Sequence, residues 1–124
     1  MSVLQKVGRR TGQALLGAMF IKLGSDAARD PGPRVQTAAR AGIPEAETAV
    51  RLNGAAMAIG GAALVLNRLP RAAALGLIAS LVPTTLVGHP FWTQEGPEAT
   101  ANLVQAAKNA GLVGGLLLVA CRER

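Results

Sequence analysis

The sequence predicts an all-α protein, an integral membrane four-helix bundle, and three observations predict it. Half of the 124 residues are hydrophobic and only 16% are charged, well below the roughly one quarter usual in soluble domains. Gly and Ala are abundant while aromatics are almost absent, which suits helices packed through small side chains. Proline, glycine and asparagine divide the chain into four helical stretches, about residues 3–28, 44–66, 70–88 and 97–121. Stretches of roughly 20 to 26 residues, at 1.5 Å per residue, cover about 30 to 39 Å and can cross the hydrocarbon core. A soluble bundle of this length should carry long, heavily charged faces; the last three stretches do not. One domain is the expectation for a chain of this length.

The first helix opens on Ser2 with Gln5 three residues on, a capping box. Thr11, Ala14, Ala18 and Lys22 then share one face at helical spacing, small enough for a neighbour to approach. Asp30-Pro31-Gly32-Pro33 stops it. Residues 34–43 read as a loop with a short amphipathic turn near Val35 to Ala41. Pro44 suits the first position of the second helix, with Glu45 and Glu47 in the turn that the helix dipole favours for acids. Gly54, Ala58 and Gly61 make a small-residue packing face. Asn67-Arg68-Leu69-Pro70 is a tight turn, and Pro70 begins the third helix. Pro83 cannot donate to the Ala79 carbonyl, so a kink is expected, with Thr84 and Thr85 supplying part of the lost hydrogen bonding. Pro97 with Glu98 repeats the proline-then-acid opening for the fourth helix, where Gly111 and Gly115 form a GxxxG packing motif.

The stretch Leu81 to Trp92, LVPTTLVGHPFW, organises the rest. It holds an apolar run with a proline inside it, two threonines, the one histidine and two of the three aromatic residues. Counting basic residues at the two ends of a four-span bundle puts Lys6, Arg9, Arg10, Arg68, Arg71, Arg122 and Arg124 on the side of both termini. The positive-inside rule then assigns both termini to the cytoplasm. Lys22, Arg51, Asn53, Thr85, His89, Lys108 and Asn109 fall at a similar depth near the other end, joined there by Trp92. Polar groups at that depth are costly unless they face the bundle interior or water, so these eight residues are the candidate ligand-binding cluster. Its excess of positive charge suits an anion, a quinone carbonyl or a lipid headgroup. Plainer roles stand beside this one: lysines that snorkel to headgroups, His89 as a helix C-cap, and Phe91 with Trp92 as an interfacial anchor.

Other classes are set aside on composition. The net charge of +6 is not gathered into a basic stripe with interleaved aromatics, so nucleic-acid binding is not expected. One His and one Cys at opposite ends share no metal, haem or cluster site, and a single Cys excludes dithiol chemistry with a quinone. No nucleophile–base pair or phosphate loop is present, and no catalytic residue is assigned. The N-terminus lacks a cleavable signal pattern.

The segment PTTLVGHPFW followed by KNAGLVGGLLL resembles the DoxX family of small membrane proteins. Gly17 to Gly24 (GAMFIKLG), Gly42-Ile43-Pro44 and the Arg68-Leu69-Pro70-Arg71-Ala72 turn extend the likeness over nearly the whole chain. The resemblance implies a four-helix bundle in the bacterial cytoplasmic membrane, linked to quinone-coupled sulfur oxidation or oxidative-stress systems. Many relatives carry an acidic residue where this chain has Arg51-Leu52-Asn53, which removes any mechanism that needs a carboxylate there. The leading expectation is an accessory subunit or scaffold of a membrane redox assembly, without catalysis of its own. Its partners would be the bilayer, other membrane redox proteins and further copies of itself. The first alternative is a subunit that binds quinone or a small anion at the polar cluster. The second is a small transporter, although four-helix exporters rely on a carboxylate early in helix one and none lies between Met1 and Gly24.

Overall fold

The computed structural model describes residues 1–123. Five α-helices lie among them: α1 Val3–Arg29, α2 Pro33–Arg40, α3 Ala46–Val65, α4 Pro70–Gly88 and α5 Gly96–Ala120, with one turn of 3-10 helix at Phe91–Thr93 before α5. Both ends of the predicted capping box form: Gln5 N–H donates to Ser2 Oγ at 3.1 Å and Ser2 N–H to Gln5 Oε1 at 2.8 Å. The Asn67–Leu69 turn is as tight as expected, with Asn67 and Leu69 at φ 55° and 44°. Its backbone closes through Asn67 N–H to Leu64 O and Arg68 N–H to Ala63 O.

Three local expectations are corrected. The segment after Asp30 is an eight-residue helix rather than a loop; Pro33 supplies its fixed φ at the first turn, and buried Ala38 gives it a face to pack. Pro44 lies outside α3, which begins at Ala46 behind a left-handed Glu45, so only Glu47 sits in the first turn. The hydroxyls of Thr84 and Thr85 bond the carbonyls of Ser80 and Leu81, both at 2.7 Å, and not that of Ala79. Each threonine reaches back four residues along its own helix, which fixes its acceptor. α4 continues through Pro83 to Gly88.

Side-chain pairings give the topology. α1 meets α3, α3 meets α4, α4 meets α5, and α5 returns to α1, each pair antiparallel. Gly17 faces Gly61 while Gly24 faces Gly54. Asn53 bonds Thr84, Thr85 bonds Asn109, and Gln13 bonds Arg122. One end therefore holds both termini and the α3–α4 turn (the terminal end); the other holds α2 and the α4–α5 connection (the loop end). The core runs between them through Phe20, Met57, Leu64, Leu77, Leu81 and Leu116.

The closest packing is between α1 and α3. A Cβ built on Gly17 would lie 2.5 Å from the Gly61 carbonyl oxygen, and one on Gly61 would lie 2.5 Å from that of Gly17. Gly24 and Gly54 repeat the reciprocal approach two turns along, with Ala58 beside Gly24. On α3 the contacts fall on Gly54, Ala58 and Gly61. On α1 the buried line is Gln13, Gly17, Phe20, Gly24 and Ala27, in place of Thr11, Ala14, Ala18 and Lys22. Glycine wins over alanine here because only a residue without Cβ lets two backbones come this near. On α5, Gly111 has nothing within 4 Å of a built Cβ, and Gly115 meets only the Leu16 side chain at 3.6 Å. The GxxxG motif therefore makes no close backbone contact within this chain.

At the terminal end a buried glutamine ties the bundle together. Gln13 is 2% exposed. Its amide donates to Leu64 O at 2.9 Å and Asn67 Oδ1 at 2.8 Å, and its oxygen accepts from Arg122 at 2.6 Å. Arg71 adds a bond to the Ala120 carbonyl.

The outward surface is apolar: Leu118, Ile59 and Leu15 are 78, 71 and 69% exposed. In water such a surface would drive association; a bilayer covers it. Three helical segments, Ala46–Val65, Pro70–Thr93 and Gly96–Ala120, are long and apolar enough to cross a membrane. α1 is not one of them, because Lys6, Arg9, Arg10, Lys22 and Asp26 interrupt it. The protein is thus an all-α membrane helical protein with three candidate spans among the described residues, where four were expected.

Gly61→Ala is expected to force α1 and α3 apart and to cost about 1–3 kcal/mol, the range for overpacking. Gly111→Ala, with open space around it, should leave stability unchanged or raise it by up to about 1 kcal/mol. Thermal unfolding of the two variants in the same mild detergent checks this.

Candidate functional site

A cavity of about 590 Å³ opens near the loop end, between α2, α3, α4 and α5, with Leu23 and Ala27 of α1 at its back. Its walls are mostly apolar. Its polar groups are Arg34, Thr37, Asn53, Ser80, Thr84, His89, Gln105 and Asn109, and no carboxylate lines it among the described residues.

The polar groups come from elements that tertiary packing joins. Asn53 projects from α3 at the level where Ser80 and Thr84 repeat one turn apart on α4. Ser80 Oγ donates to Asn53 Oδ1 at 2.6 Å, and Asn53 Nδ2 donates to Thr84 Oγ1 at 3.1 Å. Asn109 on α5 donates to Thr85 Oγ1 at 2.9 Å. Both asparagine bridges span two helices, and each satisfies groups that would be costly unpaired in an apolar interior.

A second chain of bonds leads from the cavity to the loop. His89 Nδ1 lies 3.0 Å from Asn102 Oδ1; Asn102 donates to Gln94 Oε1; Gln94 donates to Glu98 Oε1 at 3.1 Å. The carboxylate fixes the direction of this chain. An ionised carboxylate only accepts, so Gln94 must turn its NH2 to Glu98 and its oxygen to Asn102. Asn102 must then give its NH2 to Gln94, and its oxygen to His89. His89 Nδ1 therefore carries a proton. In the neutral ring this leaves Nε2 as the acceptor nitrogen of a histidine that lines the cavity.

The remaining expected site residues lie elsewhere. Lys22 is 74% exposed in its side chain and pairs with Asp26 at 3.1 Å. Arg51 pairs with Glu47 at 3.0 Å and donates to the carbonyls of Ala28 and Arg29 at 2.7 and 3.1 Å, which places a cation at the negative end of α1. Trp92 is exposed and meets Phe91 edge-on, ring centroids 5.3 Å apart. Lys108 is exposed and does not line the cavity. Of the eight, Asn53, His89 and Asn109 line the cavity and Thr85 braces Asn109.

Sequence reasoning passed over Arg34, Ser80, Asn102 and the Gln94–Glu98 pair. Two signals were available. Ser80 and Thr84 stand four apart on one face of α4, and Asn102, Gln105 and Asn109 recur at helical spacing on α5. Arg34 and Thr37 had no signal, because they depend on α2 being a helix folded over the cavity.

The fold and the cavity define an integral membrane protein with a mostly apolar pocket built between its helices. The chain belongs to the DoxX family, whose model matches residues 12–90. The match runs from Gly12, within α1, to Pro90, just past α4, so Asn102, Gln105 and Asn109 of α5 lie beyond it. No curated protein and no solved structure matches the chain.

The direction of the chain from Glu98 predicts that 15N spectra of histidine-labelled protein at neutral pH show a protonated Nδ1 at His89. Glu98→Lys, which replaces the acceptor with a donor, should remove that preference; an unchanged tautomer would show that Glu98 does not set it.

Proposed function

We propose that this DoxX-family protein is an accessory subunit of a membrane redox assembly, and that it holds a quinone-type ligand in the cavity at its loop end. The observation that carries the reading is the cavity itself. Its volume, about 590 Å³, is in the range of roughly 300–1,000 Å³ that takes a small organic molecule. Its lining pairs extensive apolar wall with a few neutral hydrogen-bonding groups. That chemistry suits a flat apolar ring bearing carbonyl or hydroxyl oxygens. The Asn109 amide offers a donor to a carbonyl, and His89 Nε2 offers an acceptor to a hydroxyl. A small anion is the weaker fit, because Arg34 alone contributes a cation to the wall.

A quinone, when bound, would supply the electron and proton transfer; the residues of this chain would bind it, orient its oxygens and exclude water. No catalytic residue is assigned. Orientation follows from the basic residues at the terminal end, which the positive-inside rule puts toward the cytoplasm of a bacterial cell. The cavity would then open near the outer leaflet, where a lipid-soluble ligand can enter from the bilayer.

The experiment is purification from native membranes in mild detergent, solvent extraction and mass spectrometry. Wild type is expected to retain quinone near one per chain. Asn109→Leu and His89→Leu should lower it by roughly tenfold, the loss of one or two hydrogen bonds in an apolar site; Lys108→Ala and Trp92→Ala should not. Wild-type protein empty of quinone would sink the ligand reading. A redox enzyme in fixed stoichiometry with the purified protein is the result the accessory role requires.

A further inference from the structure

At the opposite end of the molecule, four cations border one cleft. Lys6, Arg9 and Arg10 from the first turns of α1 and Arg122 beyond α5, together with Met1, surround about 390 Å³, and Glu123 is the one acid on its rim among the described residues. Lys6 and Arg10 stand four residues apart on one helix face, a repulsive spacing for like charges. The ion pairs formed by the described residues are Lys22–Asp26 and Arg51–Glu47, both elsewhere. Burial, followed by repulsion from Arg9 and Arg10, holds the Arg122 guanidinium below its ordinary pKa. Gln13 nevertheless pins Arg122 into the cluster at 2.6 Å. The fold thus spends a buried hydrogen bond to hold Arg122 beside three other cations, with Glu123 as the one acid among the described residues that line the cleft.

Depth indicates which anion suits these cations. Gln13 bonds the carbonyl of Leu64, one residue from the end of the Ala46–Val65 candidate span. Residues 6 to 10 therefore stand roughly 4 to 10 Å farther out along α1. Arg122 lies just past the end of the Gly96–Ala120 span. The headgroup layer begins where the hydrocarbon ends and is roughly 5 to 8 Å thick on each side.

We propose that the cleft between the start of α1 and Arg122 binds a phosphate group, delivered by an anionic phospholipid of the adjoining leaflet. Two arginines from α1 and a third from the segment just past α5 can grip phosphate oxygens from two sides, with planar forks suited to that geometry. The acyl chains would descend along the apolar outer face of α1, where Leu15 and Met19 are exposed. This site is separate from the cavity at the loop end and does not depend on its ligand.

The test uses the full chain, delipidated in neutral detergent and titrated with phosphatidylglycerol or phosphatidylcholine under native mass spectrometry. Wild type is expected to retain phosphatidylglycerol in preference to phosphatidylcholine. Arg9→Gln/Arg10→Gln should weaken that retention by roughly tenfold or more, given the usual contribution of each basic residue at a membrane surface. Glu123→Gln should strengthen it. Arg68→Gln, which removes a charge from the same end outside the cleft, should not change it; thermal unfolding confirms that the variants are folded. Inorganic phosphate that stabilises wild type but not the double variant, with no preference for phosphatidylglycerol, would assign the same site to free phosphate. Equal retention of the two lipids with no effect of phosphate would overturn the proposal. So would an equal loss in Arg68→Gln, which would reduce the effect to general surface charge.

Discussion

The structure depends on the approach of two backbones. α1 and α3 meet through Gly17 against Gly61 and Gly24 against Gly54, each so close that a Cβ on either partner would strike the opposite main chain. In a bilayer there is little hydrophobic gain from helix association, because lipid tails are as apolar as leucine; dispersion at short range replaces it. The glycine pairs allow that range. They also fix the register, since sliding α1 by one residue would set side chains against the Gly54 and Gly61 backbones. Everything at both ends inherits this register. At the terminal end it sets Gln13 against Leu64 and Asn67; at the loop end it brings the α1 carbonyls of Ala28 and Arg29 to Arg51.

Docking against α3 also accounts for how α1 tolerates its charges. α1 is too interrupted by Lys and Arg to rank with the three candidate spans. Its buried line is made almost wholly of small or apolar residues with one fully bonded glutamine, while Lys22, Arg9 and Arg10 stay outside that line. α3 and α4 carry a polar load of a different kind. Asn53, Ser80, Thr84 and Thr85 are satisfied by each other and by their own helix, so the cavity has polar groups without buried charge. The two sites therefore differ in chemistry: the cavity at the loop end is lined by neutral donors and acceptors with Arg34 as its one cation, and the cleft at the terminal end mainly by cations.

Much of the secondary structure was legible, for local reasons. The Ser2–Gln5 capping box, the Asn67–Pro70 turn, and α4 from Pro70 to Gly88 are set by residues within a few positions of each other. α2 was missed because its evidence is weak locally: it is short, opens on Pro33 after two other breakers, and exposes most of its polar side chains. Its helicity is secured by packing Ala38 against neighbours distant in sequence. The glycine faces were half legible. Gly54, Ala58 and Gly61 announce a close contact on α3, but on α1 two small-residue lines compete, and composition does not rank alanine against glycine. Contact does, because an added methyl is excluded at 2.5 Å from a carbonyl.

The candidate cluster shows the same division. Sequence alone determined that the chain is helical, membrane-embedded and polar near one end. It determined the small-residue character of its helices, and the gathering of basic residues where the termini meet. Tertiary structure decided which polar residues share a space. Lys22 turns to Asp26 and Arg51 to Glu47 and the end of α1, while Lys108 is exposed and off the cavity wall. Asn53, His89 and Asn109 turn inward, and Ser80, Asn102 and Glu98 complete their bonds. The physical reason is that hydropathy and charge fix how far along a helix a group lies, whereas the rotation of each helix about its axis is fixed by packing. That rotation follows from the glycine pairs and the cross-helix asparagine bonds, which exist only between residues brought together by the fold.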